Sequence, residues 1–378
     1  MIRIPLALVI CLLPSLAGAQ AADAPEKYRV YIGTYSGKNS QGIYQCELDL
    51  KTGALSKPTL AGETKDPSFL AFHPNKKFLY AVNENQASVS AFAIDAASGK
   101  LTLLNSQPSG GGAPCHLIVD PTGKNVLAAN YTGGSCICLP IEDDGKLGKA
   151  TSFHQHKGEA TEKPKKQVPH GHSIHVDEAN KFAFCADLGL DKVLVYRFNA
   201  AKGTLTPNEP PAFNAPPGSG PRHFAWHPDN KTAYVNGESN MTIIACDYDA
   251  VKGVLTQKQV LSTLPKDAER KGTSTAETVV HPSGKFVYVS NRGHNSIAIF
   301  SIDPKTGELK AVGHEARDIK TPRGFAIEPT GQFLLVANQT GGTVTSFRIN
   351  KETGELTPTG STIEVGSPVC VRFMPLGK

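Results

Sequence analysis

Seven segments of this chain end in the same way. DLKTGAL, DAASGKL, EDDGKL, NAAKGTL, DAVKGVL, DPKTGEL and NKETGEL each begin with an acidic residue or Asn and close on Gly-x-Leu. Their glycines are Gly53, Gly99, Gly145, Gly203, Gly253, Gly307 and Gly354, so the successive spacings are 46, 46, 58, 50, 54 and 47 residues. Seven copies at this period define a repeat architecture, in which each unit buries its apolar faces against its neighbours.

A second shared block precedes the turns: FLAFHPNKKFLYAVNE, HLIVDPTGKNVLAANY, SIHVDEANKFAFCADL, HFAWHPDNKTAYVNGE, TVVHPSGKFVYVSNR and GFAIEPTGQFLLVANQ. Each is two apolar alternating runs joined by a Pro/Asn/Gly turn, which predicts a hairpin. A third run, such as SIAIFSID or TVTSFRIN, leads into the Gly-x-Leu turn and a fourth strand. Four antiparallel strands per repeat with no helical periodicity predict an all-β, seven-bladed β-propeller. Only six hairpins are complete. The seventh has its first strand at the C-terminus, SPVCVRFMP, and its partners at the N-terminus, YRVYIGTY and GIYQCELD. The last blade is therefore shared between both chain ends, and the ring closes without an exposed edge. A length of 378 residues could hold two or three domains. Closure makes it one propeller over 28–378.

Residues 1–19, MIRIPLALVICLLPSLAGA, combine a basic start at Arg3, an apolar run and Ala17-Gly18-Ala19. This predicts a cleavable signal peptide, a short linker over 20–27, and a secreted or periplasmic protein. No other apolar stretch approaches 18 residues, so no membrane anchor is expected. The net charge of +5 comes from 39 basic and 34 acidic residues interspersed along the chain, which excludes a polyanion-binding field and hence nucleic acid.

Cys46, Cys115, Cys136, Cys138, Cys185, Cys246 and Cys370 follow the cleavage point and sit mostly in apolar runs such as FAFCAD. They read as buried free thiols rather than a disulfide framework. Cys136 and Cys138 would share one strand face, but a metal site there needs further ligands. The longest polar insertion, HQHKGEATEKPKKQVPHGH from His154 to His172, explains the 58-residue spacing and is expected to overhang one mouth of the channel. Its histidines lack an acidic or Cys ligand at motif spacing. Neither a metal nor another cofactor is expected.

The repeats can be compared with one another. With the hairpin turns anchored at Pro74, Pro121, Glu178, Pro228, Pro282, Pro329 and Pro375, the ninth residue onward is Asn83, Asn130, Asp187, Gly237, Asn291 or Asn338, all turn-formers and hence structural. The tenth diverges: Glu84, Tyr131, Leu188, Glu238, Arg292 and Gln339. Six residues before the anchor stand Ser68, Cys115, His172, Arg222, Ala276, Arg323 and Val369. Both positions face the same mouth, so His172, Arg222, Glu238, Arg292 and Arg323 should converge there. His116, His223 and Glu277, one residue later, should alternate away and pack between blades. Such a funnel suits an anionic, oxygen-rich small molecule, since Arg forks bind carboxylate or phosphate. The competing reading is that Arg222 and Glu238 form a structural ion pair at the blade rim.

The blocks VYIGTYSGKNSQGIY, DPSFLAFHPNKKFLYAVNE, VPHGHSIHVDEANKFAFCADLGLDKVLVYRF, GSGPRHFAWHPDNKTAYVNGESN, FVYVSNRGHNSIAIF and TPRGFAIEPTGQFLLVANQTGGTV resemble the seven-bladed lactonase family. That family includes propeller-type 6-phosphogluconolactonase and 3-carboxy-cis,cis-muconate lactonizing enzyme. The resemblance implies a catalytic set of His172 in PHGHS, Arg222 in GPRH, Glu238 in NGESN and Arg292 in SNRGHNS. Arg323 in TPRGF and His116 are expected to bind substrate, a small anionic lactone or sugar acid. Lactone hydrolysis is the implied activity, with a muconate-type cycloisomerase or a non-catalytic ligand-binding propeller as alternatives. The lip matches the family loosely, as KKQV, and export sets a cytoplasmic sugar phosphate apart from this chain. Chain order alone indicates no oligomeric state.

Overall fold

The computed structural model describes residues 25–158 and 168–376. The segments expected to be a signal peptide and most of the linker lie outside them, as does the centre of the lip. Among the described residues, twenty-eight strands form seven antiparallel sheets of four. Numbered by their innermost strands, blades 1 to 7 begin with Phe69–Phe72, Pro114–Val119, Gly171–Val176, Pro221–Trp226, Ser274–Val280, Pro322–Ile327 and Pro368–Pro375. In blade 7, Pro368–Pro375 pairs with Lys27–Thr34, followed by Gly42–Asp49 and Thr59–Glu63. The ring is closed by both chain ends, as the missing hairpin predicts.

Burial follows from this stacking. The second strands Asn125–Asn130, Phe182–Asp187, Thr232–Gly237 and Phe333–Asn338 are buried at every position, because the two flanking blades cover one face each. Outer strands such as Leu101–Pro108 stay partly exposed throughout.

The Gly-x-Leu turns have a second duty. All seven glycines have φ between +62° and +84°, where a side chain is strained. Each also lies against the preceding blade. A Cβ on Gly145, Gly253, Gly354 or Gly53 would stand 2.4 to 2.5 Å from the ring of Phe78, Phe182, Phe286 or Phe333 respectively. Four second-strand tyrosines fasten the same junction from below: Tyr31, Tyr80, Tyr234 and Tyr288 donate their hydroxyls at 2.8 to 2.9 Å to the carbonyls of Gly99, Gly145, Gly307 and Gly354. Sequence periodicity explains the glycine by turn geometry alone. The structure adds that it is the contact point between blades. Gly253→Ala should therefore destabilise the fold by about 1–3 kcal/mol, combining positive-φ strain with a clash in a packed junction. Urea unfolding of the variant beside the wild type measures this.

The Asn residues that end the second strands are structural in the same sense. Asn83, Asn130, Asn291 and Asn338 donate side-chain amides to the carbonyls of Lys65, Ser109, Thr263 and Asp318, holding the crossover that carries the chain from one blade to the next.

Candidate active site

Six of the seven innermost strands begin with a break in register. The irregularity falls between Pro114 and His116, Gly171 and Ser173, Pro221 and Phe224, Thr275 and Thr278, and Pro322 and Gly324. In blade 7 it falls opposite Gly33 and Thr34, where Val369 is passed over. The residues without a partner are Cys115, His172, Arg222 with His223, Ala276 with Glu277, Arg323 and Val369. A β-bulge bends the strand and re-aims its side chains. The positions that differ between repeats are thus the ones the backbone turns toward the channel.

At the mouth, Glu238 joins two guanidinium groups. Arg222 Nε lies 2.7 Å from Glu238 Oε2, and Arg292 Nη2 lies 2.8 Å from Glu238 Oε1. The Arg222 N–H is not aimed along its contact, which is ionic rather than a hydrogen bond. Arg222 also donates to the carbonyl of Ala276, and Arg292 donates to that of Thr275 at 3.1 Å. The loop before Arg222 is set by Asp191, whose carboxylate accepts from the amides of Gly218 and Gly220 at 2.9 and 2.7 Å. Side-chain exposure separates the partners: 2% for Arg222, 22% for Glu238 and 16% for Arg292. Arg222 is the anchor, while the other two open to solvent.

The charges follow. Burial works against ionisation of Glu238, but Arg222 and Arg292 outweigh it and hold the carboxyl below its usual range. Burial lowers Arg222 to about 10, against the pull of Glu238, so it remains a cation at neutral pH. His172 is buried, with Nδ1 3.7 Å from the Cys115 thiol and its ring edge-on to Tyr131 at 5.4 Å. Burial first, and then Arg222 and its other cationic neighbours, push it well below the ordinary imidazole range. It is therefore a neutral ring among cations.

A second carboxylate faces this group across the mouth. Glu84 Oε2 accepts from the hydroxyls of Tyr35 at 2.7 Å and Ser68 at 2.6 Å. Arg323 stacks over Tyr35 with its guanidinium carbon 5.3 Å from the ring centre. Ser68, Glu84, Cys115, Arg222 and Arg323 line one narrow cavity together with His223 and Glu277. Sequence comparison isolates Arg323 but passes over Glu84 and Tyr35. Glu84 occupies the blade 1 position that Glu238 occupies in blade 4, which is the signal that could have found it. Tyr35 belongs to the split blade, where no complete repeat aligns it.

The expectation for His116, His223 and Glu277 is overturned. They do not alternate away into the space between blades, because the bulges cancel the alternation. His223 Nδ1 lies 2.6 Å from Glu277 Oε1. His116 of blade 2 sits 5.3 Å from His223 of blade 4 and 4.2 Å from Phe69 of blade 1. The His116–His223 contact spans blades 2 and 4, and Phe69 of blade 1 stands 5.8 Å from His223, so these rings plug the channel. His116, expected to bind substrate, lines a cavity on the far side of that plug with His175, Phe325 and Phe373, and is not brought to the mouth. Of the six expected site residues, the structure brings His172, Arg222, Glu238, Arg292 and Arg323 near one another.

Comparisons with known proteins place this geometry. A 6-phosphogluconolactonase from Bacillus subtilis (strain 168) is 38% identical over 350 residues, 92% of this chain and 99% of that protein. A 6-phosphogluconolactonase from Formosa agariphila is 35% identical over 307 residues, 79% of this chain and 86% of that protein. The solved structure of a periplasmic gluconolactonase from Pseudomonas aeruginosa superposes with a TM-score of 0.87 at 30% identity, covering 93% of this chain and all of that one. The family model described as lactonase, 7-bladed beta-propeller, matches residues 29–373. By repeat, closure and sequence alike, the chain belongs to the seven-bladed β-propeller lactonase family.

Proposed function

We propose that this lactonase opens a sugar-acid lactone at the channel mouth, with His172 as the proton carrier and Arg222, Glu238 and Arg292 as the electrostatic clamp. The observation that carries the reading is an ionised Glu238 held between two guanidinium groups beside a neutral, buried His172. A water oxygen adds to the lactone carbonyl while its proton passes to His172. Negative charge then develops on the carbonyl oxygen, and the guanidinium of Arg292 or Arg222 stabilises it. As the ring C–O bond breaks, His172 returns the proton to the departing alkoxide, leaving a hydroxy acid. Burial is the first cause that depresses His172 and the surrounding cations the second; lactone oxygens that engage Arg222 and Arg292 weaken the second, so its basicity rises when substrate is present. Arg323, beside the Glu84–Tyr35 pair, binds the remote anionic or hydroxyl end of the sugar.

Export through the segment 1–19 supports a lactone without a phosphate. The Pseudomonas relative, described as a periplasmic gluconolactonase, points the same way. A panel of aldonolactones, phosphorylated and not, followed by acid release, tests both parts. Fastest turnover is expected on the unphosphorylated lactones, and Arg292→Ala should raise KM about tenfold or more by removing one charge-assisted contact. Absence of acid release from every lactone in the panel would overturn hydrolysis and favour a binding role.

A further inference from the structure

Away from the mouth, between blades 2 and 3, two cysteines and a histidine meet in the dry core. Cys136 comes from the third strand of blade 2, Ser135–Pro140, and Cys185 from the second strand of blade 3, Phe182–Asp187. His156 follows directly on the outer strand of blade 2, Ser152–Gln155. Their ligand atoms all lie within 4.8 Å of one another, and all three residues are buried. Ligands around one ion bound at ~2.0 to 2.3 Å stand ~3.5 to 4 Å apart, so small rotations suffice to close the set.

The histidine is prepared for coordination. Its Nδ1 lies 2.6 Å from Asp187 Oδ2, with both side chains at 0% exposure. Asp187 is itself fixed by the amides of His170 and Leu190 at 2.8 and 3.0 Å. This is the outer-shell carboxylate that orients a ligating imidazole and sets its tautomer. Nε2, the nitrogen left for a ligand, is buried without a hydrogen-bond partner. A buried polar atom without a partner is costly unless something fills its place. The thiols are available as ligands: Cys136 and Cys185 are both free and buried.

We propose that Cys136, His156 and Cys185 form a buried site for one thiophilic metal ion of the zinc(II) and copper(I) class. Two thiolates and an imidazole are soft and borderline donors that select these ions over magnesium or calcium. Binding zinc(II) expels two thiol protons, so the two thiolates cancel the ion's charge. Lacking an open aqueous face, the site is structural rather than catalytic. Its position gives it something to hold: Asp187 ties His156 to the amide of His170, two residues before His172. The ion thus fastens both feet of the lip to blade 3.

The test uses the full chain, loaded with zinc(II) alone, desalted and analysed for metal, then reloaded with cobalt(II). One equivalent of zinc and an intense near-ultraviolet thiolate-to-cobalt band are expected. Both should fall at least tenfold in Cys185→Ser and in His156→Ala, and persist in Cys46→Ser, which changes a buried thiol elsewhere. Because the first two variants could fail to fold, native mass spectrometry of the wild type with zinc(II) or copper(I) stands as a second reading, with one bound ion expected. Less than a tenth of an equivalent of either ion on the wild type overturns the proposal. So does a Cys136–Cys185 disulfide in peptide mapping, or metal retained by both folded variants.

Discussion

Glu238→Gln should lower kcat at least ~100-fold on whichever lactone the wild type turns over, and His172→Ala should do the same, within the range that a positioned proton carrier supplies. The two losses have different origins. In His172→Ala the carrier itself is gone. In Glu238→Gln the shape is retained but the counter-charge of Arg222 and Arg292 is removed. Three guanidinium groups, Arg222, Arg292 and Arg323, then face a neutral His172, with Glu84 and the His223-paired Glu277 as the carboxylates left in the cavity. Their field drives His172 further from protonation, and the clamp loses the carboxylate that holds its two forks in place. A purely structural ion pair predicts another pattern. Removing one partner of a buried pair costs ~3–5 kcal/mol. Glu238 is 22% exposed, so screening by water reduces that cost here. If the pair serves only stability, the variant should unfold at lower urea while its folded fraction keeps wild-type kcat. Steady-state kinetics with a urea midpoint on each variant separates the two, and wild-type turnover in both variants would sink the assignment.

How far the sequence carried this site depends on the kind of contact involved. Blade count, closure and the mouth-facing positions are periodic properties, so seven Gly-x-Leu turns and six hairpins expose them. His172, Arg222, Glu238 and Arg292 were legible because they break a repeat that Asn83, Asn130 and Asn338 keep. Two things escaped. A bulge displaces register by one residue, and alternation counted from the turn then sends His223 and Glu277 to the wrong side. Contacts between blades have no fixed spacing. Cys136 and Cys185 lie on strands of two different sheets and His156 just past the end of a third strand, so motif spacing saw only Cys136 beside Cys138. Cys138 in fact turns to Asn125, with its sulfur 3.7 Å from Oδ1.

The histidine plug sets the acid limit of this protein, and the expected result is cooperative unfolding near pH 5. His116, His172, His175 and His223 form one chain of rings: His116 is 4.8 Å from His175 and 5.3 Å from His223, which is 5.3 Å from His172. Burial is the first cause that lowers each of them, reinforced by neighbouring rings and arginines and opposed by Glu277 at His223 and His175, and His175 falls to about 3. In the unfolded chain each returns to ~6.5. Below that pH the unfolded state binds protons that the folded state refuses, so stability falls as pH falls. Each histidine contributes a slope of up to ~1.4 kcal/mol per pH unit, and four together reach about 5. A folded protein holds only ~5–15 kcal/mol in all, so one to two units below pH 6.5 are enough to unfold it. Glu238, whose folded value is also depressed, adds to the loss as its unfolded form protonates near 4.5. Activity should therefore stay level from pH 8 to 6.5, and its acid limb should coincide with loss of near-ultraviolet circular dichroism. His175→Phe, which removes one titrating ring but keeps an aromatic against Phe224, should move the midpoint to lower pH. A native signal that stays flat to pH 4 would show that the rings take up protons in place. In that case the acid limb of turnover reports His172 itself.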